Sequence, residues 1–344
     1  MRTGAMDGGR DEGKNGIRLR QAWRTALPVG VAAAAALFLG GSIDVVHRHQ
    51  REANKKHDAE AAAVSSTPPG PRFVVGVART GTALTVRDAR SGATVGLPVA
   101  APEGRRFQRV AGDGDSYVVA SYGGRKVTFQ RLKLDGDGRP ESLTELPKAT
   151  ISGVSAAWSD LAVASDGDRI AYVTYRGARA RVDVVSARTG ARKAWTTRYS
   201  ARVSSLSWAG DTLAFVWNPV RRVHGKLTET GHEIRTLDTG GAAGDLKASR
   251  AVAKLPEGTT SAVISHDGKT VVAGVVQRSV GSLQAYSAAT GEPTKILWTQ
   301  ALKAPITGLD SGDKGKLLIS AGDGRVYAVG AGTLPGKDLA DTAW

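Results

Sequence analysis

Residues 165–196 read SDGDRIAYVTYRGARARVDVVSARTGARKAWT. An Asp-Gly turn opens the run IAYVTY; a second run, RVDVV, follows after Arg-Gly; a third, KAWT, follows the cluster SARTG. Short runs rich in β-branched and aromatic residues, separated by turn formers, predict an antiparallel meander. The unit recurs. Its opening strand returns as DSYVVASY at 115, DTLAFVWN at 211, KTVVAGVV at 269 and KLLISAGD at 316. Its hairpin cluster returns as DARSG at 88–92 and SAATG at 287–291. Gly92, Gly190 and Gly291 close these clusters, where a left-handed residue is needed.

A period of about 40–55 residues marks a repeat architecture. A four-stranded meander repeated this often buries both faces of every sheet only by radial stacking, so the fold class is all-β, a single β-propeller. Five full units plus an incomplete one at 73–100 give six blades, with five and seven as the alternatives. The first unit lacks its inner strand and the last, 306–329, its outer one, which predicts that the two ends pair to close the ring.

SDGDRIAYVTY and RVDVVSARTGARKAWT resemble the repeats of bacterial WD40-like propellers of the TolB and YVTN types, over roughly residues 73–330. The resemblance implies the fold and little about function, because such propellers serve as scaffolds, sensors and enzyme frames alike. The Trp-Asp and Gly-His marks of eukaryotic WD40 repeats are missing, so no interaction residues carry over from them.

Ahead of the propeller, expected over 73–344, three segments differ in composition. Residues 1–25 form a polar, basic, Gly-rich tail expected to be disordered. Residues 26–43 carry no charge, which is about 27 Å as a helix, and a transmembrane helix is expected over 26–46. Residues 47–72 form a charged stalk and a Pro-rich linker. Lys14, Arg18, Arg20 and Arg24 before the apolar run balance Arg48, Arg51, Lys55 and Lys56 after it. The basic leader favours a single-pass signal anchor with the N-terminus inside and the propeller extracytoplasmic; the alternatives are a cleaved, secreted form, with Gly40 and Ser42 behind the run, and a buried soluble helix, since the run is Ala-rich.

The 344-residue chain contains no cysteine, which excludes disulfides, thiolate zinc sites and thiol nucleophiles. No cofactor or metal is expected. LDGDGRPESLTE at 134–145 looks like a calcium loop, but counting from Asp135 it fails at three ligand positions; Asp and Gly here suit hairpin turns. His47, His49 and His57 suit a solvated stalk better than a metal site. His224, His232 and His266 accompany no nucleophile motif, so a non-catalytic protein is expected. Trp158, Trp195, Trp208, Trp217 and Trp298 are expected in packing.

The net charge is +15; 10 basic against 7 acidic residues lie within 1–70 and 37 against 25 beyond. The propeller itself is therefore basic. In such blades the hairpin between the second and third strands shares one face with the links between blades. That face collects the candidate contact residues Arg105, Arg106, Arg125, Arg176, Arg179, Arg181, Arg202, Arg221, Arg222, Lys226, Arg278 and Arg325, together with Arg109. The opposite face collects Asp113, Asp115, Asp135, Asp137, Asp166, Asp168, Asp211, Asp267 and Asp313, mixed with Arg90, Arg139, Arg188, Lys269 and Lys314. NPVRRVHGKLTET at 218–230 is the longest excursion on the basic side.

With the apolar run as anchor, the expectation is a membrane-anchored binding or sensing module, monomeric, whose basic face meets an anionic envelope polymer, lipid headgroups or an acidic protein. Two other functions compete: a protein-interaction scaffold with incidental charge, and a propeller hydrolase or lactonase. The last needs polar ligands converging on the central channel, where first strands such as LAVAS and AVISH offer small apolar residues and Ser. Nucleic acid is disfavoured, since aromatic and basic residues are not interleaved as in single-strand binders.

Overall fold

The computed structural model describes residues 72–112, 116–257, 259, 261–312, 316–330, 332–334 and 338–344. The expected tail, membrane helix and stalk lie outside the described residues, as do Asp113, Asp115 and Asp313. Among the described residues no helix is long and apolar enough to cross a membrane.

Six antiparallel sheets make six blades. From inner to outer strand, blade one is Leu339–Ala343, Phe73–Ala78, Ala83–Asp88 and Thr94–Ala100. Blade two is Arg106–Gly112, Ser116–Gly123, Lys126–Leu134 and Pro140–Glu145. Blade three is Leu161–Val163, Arg169–Arg176, Arg179–Ser186 and Arg192–Thr196, with Gly244–Asp245 added in parallel at its edge. Blade four is Ala201–Ala209, Thr212–Val223, Glu233–Asp238 and Arg250–Lys254. Blade five is Ser261–Ile264, Thr270–Gln277, Val280–Ser287 and Pro293–Ala301, and blade six is Ile306–Ser311, Leu317–Ala321, Val326–Ala328 and Gly332–Leu334.

The C-terminal strand thus supplies the inner strand that blade one lacks in sequence, pairing Val75 with Ala343 and Val77 with Asp341. Blade six, in contrast, has its own outer strand, correcting the expectation that it lacks one. Gly332–Leu334 is three residues long and begins with glycine, too short to stand out as a period-two run.

The core is six seams rather than one centre. Each buried apolar cluster joins two neighbouring blades, such as Phe129 and Ile151 of blade two with Ile170 and Tyr172 of blade three. The second strands explain why their sequences are continuously apolar. Successive residues face opposite seams: Val118 packs toward blade three and Val119 toward blade one, Leu213 toward blade three and Ala214 toward blade five. Burying a Val or Leu contributes about 1.5–3 kcal/mol each, so every blade depends on both neighbours.

Gly92, Gly190 and Gly291 have φ of 70°, 78° and 75°, as the hairpin clusters require. Aspartates cap the neighbouring turns: Asp135 Oδ1 accepts the Asp137 and Arg139 N–H groups, and Asp88 Oδ1 those of Arg90 and Ser91. The Ser91 and Arg90 amides hold the Asp88 carboxyl below its ordinary value.

Candidate functional site

Two regions gather polar side chains: the face formed by the hairpins between second and third strands, and the wall of the central channel.

On the hairpin face the twelve basic residues separate into two groups. Four are engaged. Arg105 donates to Thr128 Oγ1 at 2.9 Å, and Arg325 lies 3.7 Å from Asp323. Arg181 lies within the sheet of blade three, 2.8 Å from Asp183, a fully buried carboxylate that Arg192 also approaches at 3.3 Å. Arg202 pairs with Glu229, and its guanidinium stacks 4.1 Å above the Trp158 ring. The other eight, Arg106, Arg125, Arg176, Arg179, Arg221, Arg222, Lys226 and Arg278, are exposed and form no ion pair among the described residues. Arg181 and Arg325 each have an acid two residues away in sequence, whereas Arg202 and Glu229 meet only in the fold.

Arg221, Arg222 and Lys226 sit on an ordered element, not an irregular insertion. The second strand of blade four runs on for twelve residues, Thr212–Val223, and turns back as Lys226–Glu229. Val220 pairs with Glu229, Arg221 with Thr228, Arg222 with Leu227 and Val223 with Lys226. His224 and Gly225 make the turn with φ of 49° and 79°, the double left-handed geometry of a tight two-residue hairpin. At its base Glu229 receives Arg202 and lies 3.6 Å from His232 Nε2. The ribbon is therefore fastened at its root and bare at its tip.

The ribbon has basic neighbours. Val220 N–H donates to the Ser200 carbonyl and Ala201 N–H to that of Ala178. These bonds join the blade four ribbon, the 198–200 link and the blade three hairpin that carries Arg176 and Arg179.

The channel has a volume of about 1040 Å³, and its wall corrects the sequence-based view that inner strands offer only small apolar groups and Ser. Arg109 on blade two, Asp160 beside the inner strand of blade three, Asp310 on blade six and Asp341 on blade one all line it. Isolated acids and one arginine in strands of different blades give no local signal. Ring closure alone brings them together.

Their bonds run from blade to blade. Asp341 Oδ2 accepts Val110 N–H at 2.8 Å, Asp160 Oδ2 accepts Leu206 N–H at 2.6 Å, and Asp310 Oδ2 accepts Trp344 N–H at 3.2 Å. Arg109, which charge sorting places on the hairpin face, instead donates to the Ser159 and Ala157 carbonyls of the next blade, both at 2.6 Å. Between blades four and five, Ser205 Oγ donates to the Ala262 carbonyl and Ser207 Oγ accepts Ile264 N–H. Ser320 and Thr342 hydroxyls meet at 2.7 Å between blades six and one. These side-chain bonds tie neighbouring blades together around the channel.

Burial raises Asp310 to about 6 and Asp341 to about 7, the latter despite the nearby Arg109 charge. Burial also raises Asp160, against the opposing pull of Arg109. Above the seam, Tyr172 hydroxyl contacts Ser155 Oγ at 2.6 Å, and burial pushes its pKa up to about 12. These groups are occupied with holding blades together. His232 is buried in blade four, with Nδ1 3.1 Å from the Thr259 carbonyl, while His266 lines the channel.

Trp195, Trp208, Trp217 and Trp298 pack as expected, whereas Trp158 does not. Trp195 is fully buried and donates to the Ala242 carbonyl at 3.0 Å, Trp208 lies in the seam between blades three and four, and Trp298 contacts Tyr327. Trp217 is half-buried against Phe215, and Trp158 is partly exposed beneath Arg202.

No protein-family model and no curated protein matches the chain. Among solved structures, a chain of a nidogen/laminin complex is similar over 79% of this chain and 97% of its own, with a TM-score of 0.53 and 11% identity. TolB from Acinetobacter baumannii is similar over 83% of this chain and 70% of its own, with a TM-score of 0.50 and 15% identity. At these identities the likeness concerns the fold: the chain is a six-bladed β-propeller, and TolB is among its structural neighbours.

Proposed function

We propose that the chain is a non-catalytic binding module, held at the cell membrane by residues 26–46, whose basic hairpin face engages an anionic partner. One observation carries this: Arg221, Arg222 and Lys226 stand without acidic partners among the described residues, on a ribbon whose base is fastened by Arg202 and Glu229. Arg181 and Arg202 each find a carboxylate. The three ribbon cations do not, and a rigid ribbon presents them at little ordering cost.

An anionic envelope polymer, lipid headgroups and an acidic protein all fit this charge. The chain enters blade one at Phe73, which pairs with Asp88 at the end opposite the 79–82 hairpin. Residues 47–72 span at most about 90 Å when extended, long enough for either face of the propeller to turn toward the bilayer.

Binding of this kind weakens with salt. The test is retention of the full chain on an immobilised polyanion against the variant with Arg221→Glu, Arg222→Glu and Lys226→Glu. Equal retention of the two would remove the proposal.

A second reading, an interaction scaffold, draws support from Leu97 and Ile296, exposed by 85% and 63% on the outermost strands of blades one and five. Apolar side chains there suit lateral protein contacts, which would be insensitive to moderate salt.

A further inference from the structure

We propose that the partner of the blade four ribbon is an anionic lipid bilayer, whose headgroup layer the tip enters end-on. This rests on the anionic-partner function proposed above and names its chemistry.

The tip is more than basic. Val223 and Leu227 are large apolar residues exposed by 43% and 51%. Cross-strand pairs share a side of a ribbon and alternate along it. One side therefore carries Arg222 and Leu227; the other carries Arg221, Val223 and Lys226. Each side holds at least one cation and one apolar group.

That two-sidedness discriminates between occupants. A folded protein partner covers one side of a ribbon, where apolar groups gather at the centre of the contact and charges at its rim. A soluble anionic polymer satisfies the cations and leaves Val223 and Leu227 in water. A headgroup layer surrounds the tip, taking both apolar side chains toward the acyl boundary while phosphates meet the cations around the shaft.

The base of the ribbon fits the same surface. Tyr199 is 69% exposed, with the Arg198 guanidinium 5.7 Å from its ring centre. The link carrying it is bonded to the ribbon through Ser200. An exposed tyrosine beside arginine is the composition of a membrane interface, where an amphipathic ring sits at headgroup level. The tight turn at His224 and Gly225 keeps the tip narrow.

The chain has no cysteine, so Leu227→Cys accepts a polarity-sensitive fluorophore at one site. The labelled full chain is reconstituted in vesicles of equal parts phosphatidylglycerol and phosphatidylcholine, and separately in phosphatidylcholine alone. The expected result is a blue shift and quenching by a lipid-attached quencher in the anionic vesicles, with little of either in the neutral ones. Adding Arg221→Glu, Arg222→Glu and Lys226→Glu should weaken insertion roughly 100-fold, with an unchanged unfolding temperature showing that the variant folds. A label that stays in water in both vesicles, or is quenched equally in both, overturns the proposal. If the label stays in water while the same three substitutions still abolish retention on phosphocellulose, the lipid partner is wrong and the anionic-partner function stands. If retention is also unchanged, both fall.

Discussion

Asp341 Oδ2 accepts the backbone N–H of Val110 at 2.8 Å across 231 residues of sequence. The bond joins the last strand of the chain, inner strand of blade one, to the inner strand of blade two. It also places a carboxyl in the channel wall with Asp160 and Asp310, where ionisation is unfavourable.

Stability should therefore depend on pH through Asp341 and Asp310. Their values in the folded protein, about 7 and about 6, lie above the ordinary 3.8. The contribution of the protonated form is complete below about pH 4 and is lost as pH rises through 6 and 7. Asp341→Asn keeps an acceptor for Val110 and removes the charge. Its unfolding temperature should gain on the wild type by several degrees between pH 4.5 and 8, at roughly 2–4 °C for each kcal/mol in a domain of this size. Parallel curves for the two proteins across that range would show that burial does not hold the carboxyl protonated.

Two hairpin glycines should differ in cost although their sequences look alike. Gly190 has φ of 78° and its Cβ would sit 3.2 Å from the Lys148 carbonyl oxygen, a tight but tolerable approach. At Gly291, with φ of 75°, a Cβ would overlap the Val252 carbonyl oxygen. Gly190→Ala should cost about 1–2 kcal/mol for the left-handed backbone alone. Gly291→Ala should cost clearly more, because backbone must move. Denaturant titration of both variants orders them, and equal losses would contradict the close approach.

Much of the fold was legible for the reason these glycines were. Turn clusters such as SARTG recur at one place in the unit, and second strands such as LLIS face two seams, so both period and architecture show in the residue pattern. The outer strand Gly332–Leu334 escaped because three residues carry no periodicity. The channel wall escaped for a different reason: Arg109, Asp160, Asp310 and Asp341 are far apart in sequence and meet only after closure. On the hairpin face, topology placed Arg221 and Arg222 on an exposed loop segment, but nothing local distinguished them from Arg202, whose partner Glu229 lies 27 residues further on.

Arg202→Ala should loosen the ribbon without unfolding the propeller. The side chain pairs with Glu229 and stacks on Trp158 at 4.1 Å, so its loss releases the ribbon base while the blade seams stay packed. Tryptic cleavage after Arg221, Arg222 and Lys226 should accelerate about tenfold, matching loss of a partly buried cation stack and ion pair. The global unfolding temperature should move little. Unchanged cleavage would mean that strand pairing alone holds the ribbon.

The anionic-partner function is tested most directly by salt-dependent retention on a polyanion. The full chain should elute from phosphocellulose at a salt concentration that falls steeply when Arg221, Arg222 and Lys226 become Glu, with binding at physiological salt weakened at least about tenfold. Glu substitutions at Arg139 and Arg188, on the opposite face, should change elution far less. If the two sets of substitutions shift elution equally, overall charge rather than the ribbon governs binding, and the account is contradicted.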